Sequence, residues 1–370
     1  MNNFSFSSKN ELTVLLKDKA FNKIFIICGH KSYNSSGAKK LLDNLLIKKN
    51  VSYFFKKHAY PDINELEKII QELNAASPDL IIAVGGGSVL DYAKIANVLS
   101  NSENLRNEIK NNSYVVKKRL TKLIAIPTTA GSGAEVTSNS VIYIDKIKYS
   151  IESSELRPDF FFLIPELVIG ASNTIKASAG FDAIAQAIES LISKKSNDKS
   201  LMFAQKSLKI SSKYYLDYLN KPNNENTSAM CLAANLSGEA ISISKTTAPH
   251  AVSYPFTSIY NISHGHAVSL TLNKFLKFNY QNLEKSTSSF NLKKRYEIIF
   301  DATKNNNIES FDKYLRNIKT EANLENDFNK LGININEDYS KIISGVNILR
   351  LSNNPVELKS EDLKEIIQGY

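Results

Sequence analysis

Short, unbroken apolar runs alternate with amphipathic stretches through the first 150 residues. The runs are KIFIIC (23–28), DLIIAVGG (79–86) and KLIAIPTT (122–129), and the amphipathic stretches are GAKKLLDNLLIKK (37–49), INELEKIIQELNAA (63–76) and VLDYAKIANVLS (89–100). A strand without polar alternation has no face for solvent, so both faces need cover, and a helix after each strand supplies it. The pattern predicts a doubly wound, Rossmann-like parallel sheet in an α/β domain. SNSVIYIDKIKYSIESSEL (138–156) reads as a hairpin-like insertion, and RPDFFFLIPELVI (157–169) as another strand leaving the sheet.

From about 171 the strand signals stop. Long helical periodicities follow at 178–193, 198–219 and 227–244, interrupted by KPNNEN and TTAPH, and the polar, Asn-rich stretch 303–332 keeps the spaced Ile, Phe, Tyr and Leu of surface helices. The expected organisation is an α/β domain over 1–170 and an all-α domain over 171–370. At 370 residues the chain exceeds the size at which one core stops growing, which agrees with two domains.

Composition narrows the class. With 42% hydrophobic and 22% charged residues, the chain has enough apolar surface to fold and is not a disordered one. No run reaches the ~20 apolar residues of a spanning helix. The opening MNNFSFSSKNELTVLLKDKA lacks an export signal, its apolar stretch being broken by Lys17, Asp18 and Lys19, so a cytoplasmic protein is expected. Cys28 and Cys231 lie far apart in apolar surroundings, as reduced, packed thiols would. The net charge of +9 is compatible with a polyanion or an anionic small molecule, but the lysine pairs (39–40, 48–49, 56–57, 117–118, 194–195, 293–294) are scattered. No basic stripe with interleaved aromatics exists, so nucleic acid and membrane are not expected partners.

Two turns carry candidate chemistry. DLIIAVGGGSVLDYAK (79–94) is a strand, a glycine-rich turn and a helix, an arrangement in which the backbone approaches a ligand closely and helix N–H groups face a diphosphate. IPTTAGSGAEVT (126–137) repeats the theme after another strand. Two such turns at the carboxyl ends of parallel strands suit a dinucleotide. A plain tight turn remains the alternative for either one alone.

GGGS with Asp91 and Lys94, then TTAGSGAEVT, GFDAIAQAIES (180–190) and PHAVSYPFTSIYNISHGHA (249–267), together resemble the iron-containing (group III) alcohol dehydrogenases across residues 20–275. The resemblance implies a two-domain architecture shared with dehydroquinate synthase. It implies that Gly86, Gly87, Ser88, Asp91, Thr128, Thr129, Ser132, Asn139 and Lys148 hold NAD(P)H, although a capping or surface pair is the other reading of Asp91 and Lys94. It also implies a divalent metal, with Fe²⁺ expected and Zn²⁺ or Mn²⁺ as alternatives. In that family an Asp, a His four residues on and two further His are the ligands. Here Asp182, His250 and His264 match, while Gln186 replaces the first histidine. An amide oxygen is a harder, weaker donor than imidazole, which favours oxygen-tolerant ions. The second reading of Gln186 is that it only positions a water.

A closer resemblance is to the phosphonoacetaldehyde reductase branch, through the Gln, KTTAPHA.SYP at Lys245 to Pro255 and HGHAV.LTL at His264 to Leu272. The activity implied is metal-dependent reduction of an aldehyde to a primary alcohol, with phosphonoacetaldehyde giving 2-hydroxyethylphosphonate. The alternatives are a simple aliphatic or sugar-derived aldehyde, or a dehydroquinate synthase-like lyase. Lys245 is the candidate contact for the substrate's anion, or else a cap of the preceding helix. Many members place a second His where this chain has Tyr254, so His266, Tyr254 or the cofactor ribose is left to carry the proton. After the second strand, where NAD-selective members have an acid, ICGHKSYNSSG offers His30 and Lys31, so NADPH is expected to be accepted. Ile164 stands where members often carry an acid at a hinge. A homodimer is the state common among relatives.

Overall fold

The structure, a computed structural model, describes residues 9–17, 20–116 and 118–369. Residues 1–8 of the N-terminal stretch read for an export signal, with Asp18, Lys19 and Lys117, lie outside the described residues. The chain forms two compact units, one of Met1–Thr129 with Ala134–Ala171 and the other of Ala130–Gly133 with Ser172–Tyr370.

The first unit is built on β1 (Lys23–Gly29), β2 (Asn50–Lys56), β3 (Leu80–Gly85), β4 (Lys122–Pro127), β5 (Asn139–Ile144), β6 (Ile147–Glu152) and β7 (Phe160–Phe161). Five of them make one parallel sheet in the order β2-β1-β3-β4-β7, and β5 and β6 pair as an antiparallel hairpin. Alternation along the strands divides the interior. Phe25, Ile27, Ile81, Ala83, Leu123 and Ala125 pack with helices Ile63–Ala76 and Gly87–Leu99. Their neighbours Ile24, Ile26, Leu80, Ile82, Ile124 and Ile126 pack with helices Lys9–Leu16 and Ala38–Leu45 on the other face. The unalternating sequence is therefore that of a sheet covered twice, as the apolar runs predict.

Three details depart from the sequence reading. β2 has no apolar run to announce it: as an edge strand it is buried fully only at Phe54, so its sequence, NVSYFFK, stays mixed. The last strand is cut to two residues, and the chain behind it becomes a short 3-10 turn opened by Pro165. His30 and Lys31, expected after the second strand, follow the first, opening a helix His30–Ser35 directly beyond β1. Ile164 is buried with Phe162 and Leu167 against Ile124 and Ile126, an apolar position that suits no acid.

The second unit is helical. Its main elements are helices Asn173–Ile192, Asp198–Asn220, Asn224–Ser244, Ala248–Tyr260, His264–Gln281, Leu292–Thr303, Ile308–Glu321, Ile335–Ser344 and Ser360–Gln368. Local chemistry sets several starts. Asn197, Asn223 and Asn307 each accept the N–H three residues on, while Ser200, Asn226 and Ser310 reach back to the cap's own N–H, closing reciprocal capping boxes. Cys28 and Cys231 are both buried, with no disulfide among the described residues. No helix of the described residues is long and apolar enough to cross a membrane.

Candidate active site

Helix Asn173–Ile192 starts where the Ser172 hydroxyl accepts the Ile175 N–H, and it carries Asp182, Gln186 and Glu189. Spacings of four and three put all three on one face, and all three are buried. Helix Ala248–Tyr260, with Pro249 in its first turn, supplies His250, and helix His264–Gln281 begins at His264. One ligand atom each from Asp182, His250 and His264 lie within 4.8 Å of one another. The close approach depends on Gly265, where a Cβ would fall 1.9 Å from the Ser178 carbonyl oxygen and 2.9 Å from Asp182 Cβ.

A buried carboxylate needs partners, and these two divide them. Asp182 Oδ1 stands 3.2 Å from His250 Nε2 and 3.9 Å from His264 Nε2, while its Oδ2 is 3.2 Å from Gln186 Nε2. Glu189 is wholly buried and takes the other side of His250, hydrogen-bonded to Nδ1, while its second oxygen accepts from Thr247 N at 2.8 Å and Thr247 Oγ1 at 2.9 Å. Burial works against a proton on His250, but the charge of Glu189 and the bonds to both carboxylates outweigh it and raise the imidazole to about 9. A proton or a cation is what this cluster attracts. One carboxylate oxygen and two imidazole nitrogens in this compass, with an amide alongside, suit a first-row divalent ion. The geometry brings together all four residues expected as ligands.

The proton candidates separate. Tyr254 is buried with its ring stacked on His264, the centroids 5.9 Å apart at 17°. Burial pushes its hydroxyl up to about 12, against the opposing charge of Arg350. His266 is not brought to the cluster: two residues along a helix turn a side chain by about 200°, and its Nε2 is 2.7 Å from the Glu325 carbonyl oxygen.

Lys245 terminates helix Asn224–Ser244 with φ 62°, its N–H bonded to the Ile241 carbonyl. The turn it stands on is held from the far end of the chain. Asn353 Nδ2 donates to the carbonyls of Ser244 and Thr246, each at 2.9 Å, and lies 2.8 Å from Ser193 Oγ. The same terminal segment is docked through a proline. Pro255 has no N–H for the Ala251 carbonyl, and that oxygen accepts from Asn347 N at 3.2 Å. Between these two anchors lies Arg350. Sequence reasoning singled out neither Arg350 nor Glu189. Glu189 was within reach, seven residues and two turns from Asp182; nothing local pointed to Arg350.

In the first unit, Gly86 caps helix Gly87–Leu99, and a Cβ on it would lie 3.4 Å from Thr129 Oγ1. Thr128 N donates to the Gly85 carbonyl, so the two glycine-rich turns leave β3 and β4 side by side. Lys94 is no surface residue: fully buried, its ammonium holds the Ala134 and Asn139 carbonyls and Thr137 Oγ1. Asp91 is buried too, and desolvation raises its carboxyl to about 6 against the charges of Lys94 and Lys148. Asn139 opens β5 and Lys148 lies on β6 opposite Tyr143. Ser132 alone of the expected cofactor residues belongs to the second unit. There Gly133, at φ 61°, meets Gly238 so closely that a Cβ on either would be 2.5 Å from the other's backbone.

The family described as iron-containing alcohol dehydrogenase matches residues 4–165, and the C-terminal region of the Fe-containing alcohol dehydrogenase family matches 176–369. The chain is 32% identical over 277 residues to a 1-propanol dehydrogenase of Citrobacter freundii, covering 74% of this chain and 71% of that one. It is 30% identical over 222 residues to a phosphonoacetaldehyde reductase of Streptomyces viridochromogenes, covering 57% and 56%. A crystal structure of sulfoacetaldehyde reductase from Bifidobacterium kashiwanohense in complex with NAD+ superposes with a TM-score of 0.85 at 25% identity, over 97% of this chain and 94% of that one.

Proposed function

This chain belongs to the iron-containing alcohol dehydrogenase family, and from that premise we propose that it reduces an aldehyde bearing an anionic group to the primary alcohol, phosphonoacetaldehyde first among them. The observation that carries the chemistry is the convergence of Asp182, His250 and His264 within 4.8 Å. These residues with Gln186 hold the cation, and the Gly86, Gly87, Ser88, Asp91, Thr128, Thr129, Ser132, Asn139 and Lys148 set holds NAD(P)H. The bound groups supply Lewis-acid polarisation of the aldehyde oxygen and a hydride for its carbon.

The chain's own residues do the rest. Glu189 fixes the His250 ring so that Nε2 faces Asp182. Tyr254, kept protonated by burial and stacked on His264, is the group that gives the alcohol its proton. Lys245 and Arg350 supply the positive charge for a phosphonate. Arg350 acts on the Tyr254 hydroxyl, and the Lys245 turn is pinned to the same segment by Asn353. Two relatives named for anionic aldehydes support this reading.

The test is oxidation of NADPH by metal-loaded enzyme with phosphonoacetaldehyde, sulfoacetaldehyde, propanal and a sugar-derived aldehyde. A kcat/KM at least about tenfold higher for the anionic pair, the size of one charge-assisted hydrogen bond, supports it; equal values reject it. The likeness to a 1-propanol dehydrogenase favours a second reading, a reductase of simple aliphatic aldehydes, which predicts propanal as the better substrate.

A further inference from the structure

Gln186 sits between two partners whose demands conflict. Its Nε2 is 3.2 Å from Asp182 Oδ2, and its Oε1 is 3.0 Å from Ser237 Oγ, which is also 2.8 Å from the Ala234 carbonyl oxygen. Ser237 is wholly buried, so no solvent completes its bonding. A serine hydroxyl has one proton to donate and two lone pairs. With the amide nitrogen toward Asp182, that one proton is claimed by two acceptors, Gln186 Oε1 and the Ala234 carbonyl.

Exchanging the amide nitrogen and oxygen, which moves no heavy atom, resolves the conflict at Ser237 and creates another at Asp182. Nε2 then donates to Ser237 Oγ, and Ser237 gives its proton to Ala234. Oε1 comes to face Asp182 Oδ2 across 3.2 Å, two acceptors with no proton between them, an arrangement that repels unless a cation lies beside both.

We propose that Ser237 is a positioning residue that makes Gln186 a metal ligand: by accepting the amide N–H and donating to Ala234, it stabilises the orientation that turns the amide oxygen toward the cation. The side chain is thus a two-position device, nitrogen toward Asp182 without a cation and oxygen toward it with one. A glutamine can then stand in the place of a ligating histidine because this serine lies behind it. The inference rests on the metal reading of the Asp182, His250 and His264 cluster.

The experiment is Zn²⁺ titration of the full chain against a chromophoric chelator, for the natural protein, Ser237→Ala, Gln186→Ala and the double variant. Ser237→Ala is expected to weaken Zn²⁺ binding about tenfold in the natural background and by no more than about twofold when Gln186 is already alanine, a coupling that double-mutant cycles isolate. The thermal midpoint of metal-free Ser237→Ala is expected to stay close to that of the natural protein. Equal weakening in both backgrounds would show that Ser237 acts on the helix packing, and unchanged affinity would show that the amide needs no support; either overturns the proposal. If the natural protein itself binds no Zn²⁺, the metal reading falls and takes this inference with it, whereas binding that is indifferent to Ser237 removes this inference alone.

Discussion

Glu189 hydrogen-bonds His250 at Nδ1, which leaves Nε2 of the same ring facing Asp182 Oδ1 at 3.2 Å. Two carboxylates of one helix thus grip opposite edges of an imidazole from another. Glu189→Gln keeps the shape and a hydrogen bond but removes the charge. Metal affinity is expected to fall about 10- to 100-fold, measured by Zn²⁺ competition, and His250 is expected to titrate lower, because Glu189 is the chief cause of its rise.

Lys245→Ala removes a cation from the proposed anion subsite and leaves the Arg350 charge that acts on the Tyr254 hydroxyl in place. For phosphonoacetaldehyde, kcat/KM is expected to drop about tenfold or more through KM, with propanal nearly unaffected. Equal losses on both aldehydes would refute the assignment.

Gly265 lies at a close approach of helices Asn173–Ile192 and His264–Gln281, where a Cβ would meet Ser178 O at 1.9 Å. Since backbone cannot swing aside as a side chain can, Gly265→Ala is expected to cost about 1–3 kcal/mol and to displace His264 from Asp182. Chemical denaturation reads the first effect and metal content the second.

Burial holds the Lys319 ammonium down to about 7, Arg316 and Lys274 acting with it and Asp312 against. Its folded value is below the unfolded one of about 10.4, so its contribution to stability is complete above that pH and is lost as the pH falls through 7. Lys319→Met removes this dependence at the expense of the bond to the Ser269 carbonyl. The variant is expected to gain most over the natural protein in thermal midpoint at pH 6, the gain shrinking towards pH 10.

His30 and Lys31 are exposed just beyond β1, where they open helix His30–Ser35. Lys31→Asp is expected to shift the NADH to NADPH ratio of kcat/KM upward about five- to tenfold, the effect of an exposed charge near a 2′-phosphate. No shift would place the cofactor's adenosine end elsewhere.

The parallel sheet, the helical second half and the Asp182 to Gln186 pair were legible in the chain because each is a local property: a strand buried twice shows no polar alternation, and four residues on a helix share a face. Even Glu189 obeyed that rule, two turns from Asp182, and was missed only for want of a partner to assign it. β2 was not legible, since an edge strand half in solvent need not be apolar. What tertiary structure alone decided were relationships between distant residues. Lys94 and Lys245 look alike as sequence, yet one is sealed inside the first unit by two carbonyls and a hydroxyl, and the other ends a helix on a turn that Asn353 pins from more than a hundred residues away. His264 and His266 are neighbours in the chain and face different surroundings in the fold. Periodicity tells which way a side chain points from its own helix. What it meets there depends on packing between segments whose separation along the chain carries no record of the contact.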